Sequence, residues 1–218
     1  MELFKYVTLL KDVRLRTAMP KKKPAEKKPN QDGQDKEAKE QKKSIENPII
    51  ASFDRQRVLA ESSQEAQTVY DQSRFGEKKE GKFIYSLHEG LYLLEKKRMK
   101  IISERKELDI DTYVKKAQKI EPNFWLRYVV YRDMRSRGYI IKTALKFGAD
   151  FRVYDRGVKP GEDHAKWILY PIYEADTLTW YEFSAKNRVA HSTRKKLLIG
   201  IVDDEDDVTY YQVGWTRP

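Results

Sequence analysis

The sequence predicts an α/β protein in which a small mixed α+β domain precedes a mixed β-sheet flanked by helices. Three observations support this prediction: short runs rich in β-branched and aromatic residues, helical patterns that begin at capping residues, and a lysine-rich polar stretch near the start of the chain. We expect an extension over residues 1–45, an N-terminal α+β domain over residues 46–106 and a C-terminal α/β domain over residues 107–218.

The predicted extension is dominated by residues 20–43, which are of low complexity. They contain nine lysines against five acidic residues and almost no side chain that a core could bury. Such a segment cannot recover its conformational entropy on folding, and we expect it to be disordered. It could serve as a solvated linker or as a basic arm that attracts a polyanion, and the interspersed acids favour the linker.

The predicted N-terminal domain contains two capped helices. Ser63 follows a strand predicted over residues 56–60 and can cap the first helix. Ser86 and Glu89 have the spacing of a capping box, which places the start of the second helix at residue 86. Its apolar face is predicted to contain Leu87, Leu91, Leu94 and Met99.

A helical lead-in to the C-terminal domain is predicted over residues 107–138, in two pieces. Asp111 can cap the first piece, and Pro122 suits the first position of the second. Gly138 is expected just past the end of the second helix, where a left-handed residue is common. The side chains predicted to face the core are Trp125, Tyr128, Val129 and Met134.

The rest of the C-terminal domain is predicted to form the mixed sheet. Thr179 can cap a helix that extends to about residue 192. The acidic turn Asp203-Asp-Glu-Asp-Asp207 joins the last two strands as a hairpin. Strands are predicted over residues 140–141, 150–154, 166–173, 196–202 and 208–213.

Composition narrows the possible functions. The formal net charge of +10 suits a polyanionic partner such as RNA, although it is equally compatible with ordinary solubility. The chain has no cysteine, which excludes disulfides, zinc ribbons and thiol chemistry. Its three histidines, His88, His164 and His191, are too few and too scattered to indicate a metal cluster. Of these, His88 is expected to pack or lie on the surface.

No part of the sequence suggests a membrane protein. No apolar run approaches the roughly 20 residues that a membrane-spanning helix needs. The first residues also lack the charged start and long apolar core of a signal peptide. We therefore expect a soluble, cytoplasmic protein.

Three residues of the C-terminal domain are candidates for catalysis. Tyr154 closes one predicted strand, His164 follows the turn-prone residues 159–163, and Lys195 directly precedes another strand. Together they supply a proton acceptor, a proton donor near neutral pH and a fixed cation, which is sufficient to cleave RNA without a metal. Each residue alone could be an ordinary core or surface side chain. Strand alternation would place Lys195 and Lys196 on opposite faces.

Four stretches around these candidates resemble the archaeal tRNA-splicing endonuclease family in the identity of their residues, in their order and in their spacing. The resemblance is dense from Arg137 onward, extends more loosely back to about Ile49, and does not include the residues before about Ser44. The stretches read Arg137-Gly-Tyr-Ile-Ile-Lys-Thr143, Lys146-Phe-Gly-Ala-Asp-Phe-Arg-Val-Tyr-Asp-Arg-Gly157, Arg188-Val-Ala-His-Ser-Thr-Arg-Lys-Lys-Leu197 and Ile201-Val-Asp-Asp-Glu-Asp-Asp-Val-Thr-Tyr-Tyr211.

The resemblance implies an enzyme that cleaves precursor tRNA at bulge-helix-bulge junctions. It implies Tyr154 as general base, His164 as general acid and Lys195 as the group that stabilises the transition state. The implied products are a 2′,3′-cyclic phosphate and a 5′-hydroxyl, and no metal or other cofactor is implied. Arg152, Arg156 or Lys195 could lower the pKa of the tyrosine enough for it to act as a base.

The resemblance also implies further RNA contacts and an assembly. Arg188 and Trp215 are expected to stack on unpaired bases of the RNA. The acidic positions Asp203, Asp204, Glu205, Asp206 and Asp207 are expected to insert into a basic cleft of another subunit. Active enzymes of this family contain four two-domain units, so we expect a homotetramer, or a heterotetramer with a structural partner chain.

Two other functions remain open at this point. The chain could be a non-catalytic structural or RNA-binding subunit of such an endonuclease, although the complete set of three candidates argues against it. It could also be a metal-dependent nuclease of similar fold. That enzyme would need carboxylates at strand ends beside a lysine, whereas the acidic run at residues 203–207 lies in a turn.

Overall fold

The computed structural model describes residues 47–144, 148–161 and 163–214. The predicted extension over residues 1–45 lies outside these ranges. Two mixed sheets and five α-helices make up the described part of the chain, which confirms the predicted α/β class. Both sheets lie in one compact unit, and a division into two domains at residue 106 stays a prediction. No helix in the described ranges is both long and apolar enough to cross a membrane.

The first sheet has six strands in the order β3-β4-β2-β1-β5-β6. Strands β1 and β5 are parallel, and the other neighbouring strands are antiparallel. The strands are β1 Ile49–Asp54, β2 Arg57–Glu61, β3 Glu77–Lys79, β4 Lys82–Ser86, β5 Met99–Ser103 and β6 Lys106–Glu107, with helices α1 Gln64–Ser73 and α2 Leu87–Glu95.

The second sheet has five strands in the order β11-β10-β9-β8-β7. Strands β9 and β10 are parallel, and the other neighbours are antiparallel. The strands are β7 Ile140–Thr143, β8 Phe151–Tyr154, β9 Trp167–Tyr173, β10 Lys196–Val202 and β11 Val208–Val213, and the helices are α3 Ile110–Ile120, α4 Phe124–Ser136 and α5 Trp180–Ser192.

Most of the predicted helix caps are present. Ser63 accepts a hydrogen bond from the backbone of α1, and Ser86 with Glu89 forms the predicted capping box of α2. Thr179 forms a second capping box at α5. Gly138 follows α4 with a φ of 85°, the left-handed conformation in which glycine carries no steric penalty.

The predicted start signals of α3 and α4 were wrong. Asp109, and not Asp111, caps α3, because its carboxylate accepts a hydrogen bond from the Thr112 N–H at 2.8 Å. Pro122 lies outside α4, which begins after Asn123. A proline disfavours helical backbone angles at the residue before it. Pro122 therefore ends α3 by keeping the preceding residue extended, and it does not open α4.

The apolar face predicted for α2 needs one correction. Leu87 and Leu91 are buried as expected, and Leu94 is partly buried. Met99, however, is the first residue of β5 and lies beyond the end of the helix. It is buried in the same core, because the chain reverses between α2 and β5 and brings the strand back against the helix.

Two apolar clusters stabilise the fold. The larger one packs α2 and α4 against both sheets, and in it the His88 ring stacks on Phe124 with their centroids 4.9 Å apart. His88 is therefore a packing residue, 1% exposed. The smaller cluster lies between α5 and the second sheet and contains Ile168, Tyr170, Ala190, Leu197 and Ile199.

A buried ion pair connects α2 to β7. The Lys142 ammonium donates to the Glu89 carboxylate at 2.6 Å and to the Gly76 carbonyl at 2.8 Å. The same carboxylate accepts from the backbone N–H groups of Gly76 and Ser86. Burial alone would raise the pKa of Glu89, but the charge of Lys142 and these hydrogen bonds outweigh it and hold the pKa below its usual value.

Candidate active site

The three catalytic candidates lie at one end of the interior strands of the second sheet. Strand β8 runs antiparallel to β9, and β9 runs parallel to β10, so the end of β8 lies beside the starts of the other two. Tyr154 is the last residue of β8. His164 comes shortly before β9, and Lys195 directly before β10.

The strand register, extended by the one residue before β10, puts Tyr154 and Lys195 on the same face of this sheet. Arg152, Ile168 and Leu197 are register partners across the three strands, so their side chains share a face. Tyr154 is two residues after Arg152 and Lys195 is two before Leu197, and side chains two apart point the same way. That face is the one covered by α5. Neighbouring strands lie about 4.8 Å apart, and Tyr154 and Lys195 are separated by two such spacings. Their Cα atoms are therefore about 10 Å apart.

The same register separates the two adjacent lysines. Lys196 pairs with Trp167 on β9, one position along from the row that contains Leu197. Its side chain therefore leaves the sheet on the face opposite to that of Lys195. The geometry thus supports choosing Lys195, and it makes Lys196 a natural control.

Tyr154 lies in a largely apolar position with one cation beside it. It pairs with Ile140 of β7 and is 5% exposed. The Arg152 guanidinium lies 6.0 Å from the centre of the tyrosine ring. Arg156 lies instead over the ring of Tyr139, at 4.9 Å. Of the two arginines expected beside Tyr154, Arg152 has the direct ring contact.

Lys195 is held by the end of α5. Its backbone N–H donates to the Ala190 carbonyl at 2.8 Å, and its ammonium donates to the Thr193 carbonyl at 2.9 Å. Arg194 before it has a φ of 55°, so a single left-handed residue turns the chain from helix to strand. Because the side chain is half-buried, the backbone contacts fix where the ammonium emerges.

His164 lies in the exposed connection between β8 and β9. Its backbone N–H donates to the Asp163 carboxylate at 2.6 Å, and Asp163 forms an isolated bridge with Pro160. The imidazole is on the surface, where a substrate can reach it. His164 lies three residues before β9, farther from a strand than Tyr154 or Lys195.

Sequence reasoning missed an ion pair that joins the ends of this connection. The Lys166 ammonium pairs with the Asp155 carboxylate, and the Lys166 N–H donates to the Val153 carbonyl at 2.9 Å. The hydrogen bond from Lys166 lowers the pKa of Asp155. Both residues border the catalytic candidates, but a lone Asp and Lys eleven positions apart give no local pattern that predicts their pairing.

Arg188 lies on the exposed face of α5, and its stacking on RNA stays a prediction. It lines a shallow hollow of about 550 Å³ together with Ser184, Asn187, His191 and Ser192. Lys195 follows α5 at the same end of the helix. Trp215, the other predicted stacking residue, lies outside the described residues.

The acidic turn between β10 and β11 is ordered by its own carboxylates. Asp203 accepts hydrogen bonds from the N–H groups of Glu205 and Asp207. The Asp206 carboxylate accepts from the Trp125 indole N–H at 3.1 Å, which ties the turn to α4. The carboxylates of Asp204, Glu205 and Asp207 remain exposed at the tip.

Across the described ranges, no three His, Asp or Glu residues form a group that could hold a metal ion. The acidic turn does not form such a group.

Comparison with known proteins covers most of the described chain. Residues 124–210 match the family model of the tRNA intron endonuclease catalytic C-terminal domain. Residues 49–114 match the model of the tRNA intron endonuclease N-terminal domain. The two matches correspond broadly to the second and the first sheet.

Curated relatives include several archaeal proteins. The tRNA-splicing endonuclease of Nanoarchaeum equitans is 46% identical over 138 residues, which cover 61% of this chain and 88% of the relative. That of Methanothermobacter thermautotrophicus is 40% identical over 153 residues, covering 70% of this chain and 89% of the relative. That of Thermococcus onnurineus is 35% identical over 173 residues, covering 79% and 99%.

Proposed function

Because this chain belongs to the tRNA intron endonuclease family, we propose that it is a tRNA-splicing endonuclease that cleaves precursor tRNA at intron–exon junctions. The substrate is a bulge-helix-bulge RNA, recognised through its shape and its unpaired bases. The observation that supports the proposal is the backbone arrangement at one end of the second sheet, where β8 ends at Tyr154 and where β9 and β10 begin shortly after His164 and Lys195.

The reaction is an internal transesterification. Tyr154 accepts the proton of the 2′-hydroxyl, whose oxygen forms a new bond to the neighbouring phosphorus. His164 donates a proton to the 5′-oxygen as the P–O bond to it breaks. The Lys195 ammonium stabilises the negative charge that develops on the phosphoryl oxygens. The products are a 2′,3′-cyclic phosphate and a 5′-hydroxyl, and the step consumes no water or metal ion.

Three variants and one control test this assignment. Tyr154→Phe, His164→Ala and Lys195→Ala should each lower the single-turnover cleavage rate about 10²- to 10⁴-fold, because each removes a proton-transfer or charge-stabilising group. RNA affinity should change little. Lys196→Ala removes the same charge from the opposite face and should cleave within a few fold of the wild type. Unchanged rates in the three variants would refute the assignment.

The end groups and the effect of a chelator separate the alternatives. Cleavage that persists in EDTA and leaves a 2′,3′-cyclic phosphate supports the proposed reaction. Cleavage that EDTA abolishes would instead indicate a metal-dependent nuclease. RNA binding without cleavage by the purified chain would indicate a structural subunit, or an enzyme that needs a partner chain.

The acidic turn is proposed as an assembly element. Its exposed carboxylates suit a basic cleft on a neighbouring copy, which favours a homotetramer over a heterotetramer with a structural chain. A candidate cleft of about 500 Å³ is lined in part by Lys96, Arg98, Arg135 and Lys159. By the family resemblance, Trp215 is proposed to stack on RNA bound by a neighbouring copy.

Light scattering tests the assembly. The wild type should have a mass near four chains. Asp204→Lys combined with Glu205→Lys should lower that mass, because both substitutions place positive charge against the basic cleft. The same pair of charge reversals at Glu61 and Glu80, two exposed acids of the first-sheet region, should leave the mass unchanged. A monomeric wild type would refute the proposed contact.

A further inference from the structure

Helix α5 exposes more aromatic surface than any other described helix. Trp180 is 71% exposed and Tyr181 is 78% exposed. The helix fully buries only Ala190, so nearly its whole outer face lies open in the described chain. The packed side of α5 is formed by other residues, among them Ala190 and Phe183.

Tyr181 and Arg188 lie on nearly the same side of α5. The two residues are seven apart, and at 3.6 residues per turn they differ by only about 20° around the helix axis. The rise of the helix separates them by about 10 Å. The hollow lined by Ser184 and Arg188 lies along this row. Tyr181 and Arg188 therefore present a ring and a guanidinium to the same side of the helix.

The positive charge of this face favours RNA as its partner over a basic protein surface. Arg188 is the cation on this side of α5, since the Lys186 ammonium lies 4.3 Å from the Tyr170 ring on the packed side. Arg194 and Lys195 follow the end of the helix. Its single carboxylate, that of Glu182, accepts hydrogen bonds from the Thr179 N–H and hydroxyl in the capping box. The outer face thus combines cations, hydroxyl groups and an open aromatic ring, the combination that tracks single-stranded nucleic acid.

The spacing along the helix also suits RNA. Stacked nucleotides follow one another at about 3.4 Å along a strand, so 10 Å corresponds to roughly three steps. An RNA strand whose cleaved phosphate lies at Lys195 would pass Arg188 and then reach Tyr181. The face is continuous with the proposed active site and needs no change in the helix.

We propose that Tyr181 is an RNA-binding residue that stacks on an unpaired base of the precursor tRNA, two helical turns beyond Arg188. Its ring extends the contact with the bulge away from the cleaved phosphate. Trp180 supports this end of α5 by packing edge-on against Phe183, with ring centroids 5.7 Å apart. The inference rests on the proposed function, since it places this residue on the same substrate.

Binding to an uncleavable RNA tests the inference. A bulge-helix-bulge RNA with a 2′-deoxynucleotide at each cleavage position removes the nucleophile and isolates binding. In fluorescence anisotropy, Tyr181→Ala should raise the Kd about tenfold, because a base loses its stacking partner. Tyr181→Phe keeps the ring and should bind like the wild type. Ile110→Ala, at another exposed apolar side chain, serves as the control.

The outcomes separate this inference from the proposed function. Wild-type cleavage with equal affinity for wild type and Tyr181→Ala would overturn the stacking role alone. A fall in the mass of Tyr181→Ala by light scattering would show that the residue belongs to a contact between copies, and would also overturn it. Failure of the wild type to bind the RNA would overturn both.

Discussion

Breaking the buried ion pair between Glu89 and Lys142 should destabilise the protein strongly. The two residues are 4% and 7% exposed, and the carboxylate and ammonium are 2.6 Å apart. Removing one partner leaves the other charge buried without compensation, which typically costs about 3–5 kcal/mol. We expect losses of this size in the free energy of unfolding for Glu89→Gln and Lys142→Met at pH 7.

The double variant distinguishes pairing from simple loss of contacts. Glu89→Gln with Lys142→Met removes both charges and should cost less than the sum of the single variants by about 2 kcal/mol or more. Lys82→Met breaks a 2.9 Å pair with Glu61 whose side chains are 52% and 79% exposed, so it should cost less than about 1 kcal/mol.

Urea denaturation at one protomer concentration is the appropriate assay, because assembly shifts apparent stability. The pKa of Glu89 is held below its usual value, so its contribution is present above the unfolded pKa of about 4.3. The contribution is lost as the pH falls through the folded pKa. The difference between wild type and Glu89→Gln should therefore shrink in acid. Strictly additive single variants, or losses as small as that of Lys82→Met, would refute the reasoning.

Two further predictions concern the packing around α2. Burial, with a smaller effect of Arg127, lowers the pKa of His88 well below its usual value. Stability should therefore fall by up to about 1.4 kcal/mol per pH unit below pH 6.5, and His88→Phe should remove this dependence in denaturation measured from pH 7 to pH 5. Gly90→Ala should lower the Tm and reduce the free energy of unfolding by about 1–3 kcal/mol. The reason is that a Cβ there would lie 2.6 Å from the Tyr113 hydroxyl and 2.8 Å from Val58. A Tm equal to that of the wild type would contradict this prediction.

Local signals predicted much of the fold. The strand bounds 196–202 and 208–213 agree with the structure because an acidic turn separates two apolar runs of clear strand character. The capping box at Ser86 and the cap at Thr179 were predicted because each depends on residues within four positions of one another. The start of α3 was misplaced because two aspartates, Asp109 and Asp111, lie within one turn and either could accept from the helix backbone.

Interactions between distant residues were the part that sequence could not predict. Glu89 and Lys142 are 53 positions apart, and a charged residue in an amphipathic pattern is ordinarily assigned to the surface. The catalytic candidates were identified from sequence motifs and from strand alternation. Tyr181 was overlooked because an exposed aromatic residue at a helix start carries no periodic signal.

The two connections that position His164 and Lys195 should tolerate changes in length very differently. Helix α5 passes into β10 through Thr193, Arg194 and Lys195 alone, so an insertion there would rotate the ammonium to the far side of the sheet. The segment between β8 and β9 can lengthen at small entropic cost, provided that its last residues still reach the start of β9. Indels among natural variants should therefore accumulate before β9 and be rare before β10.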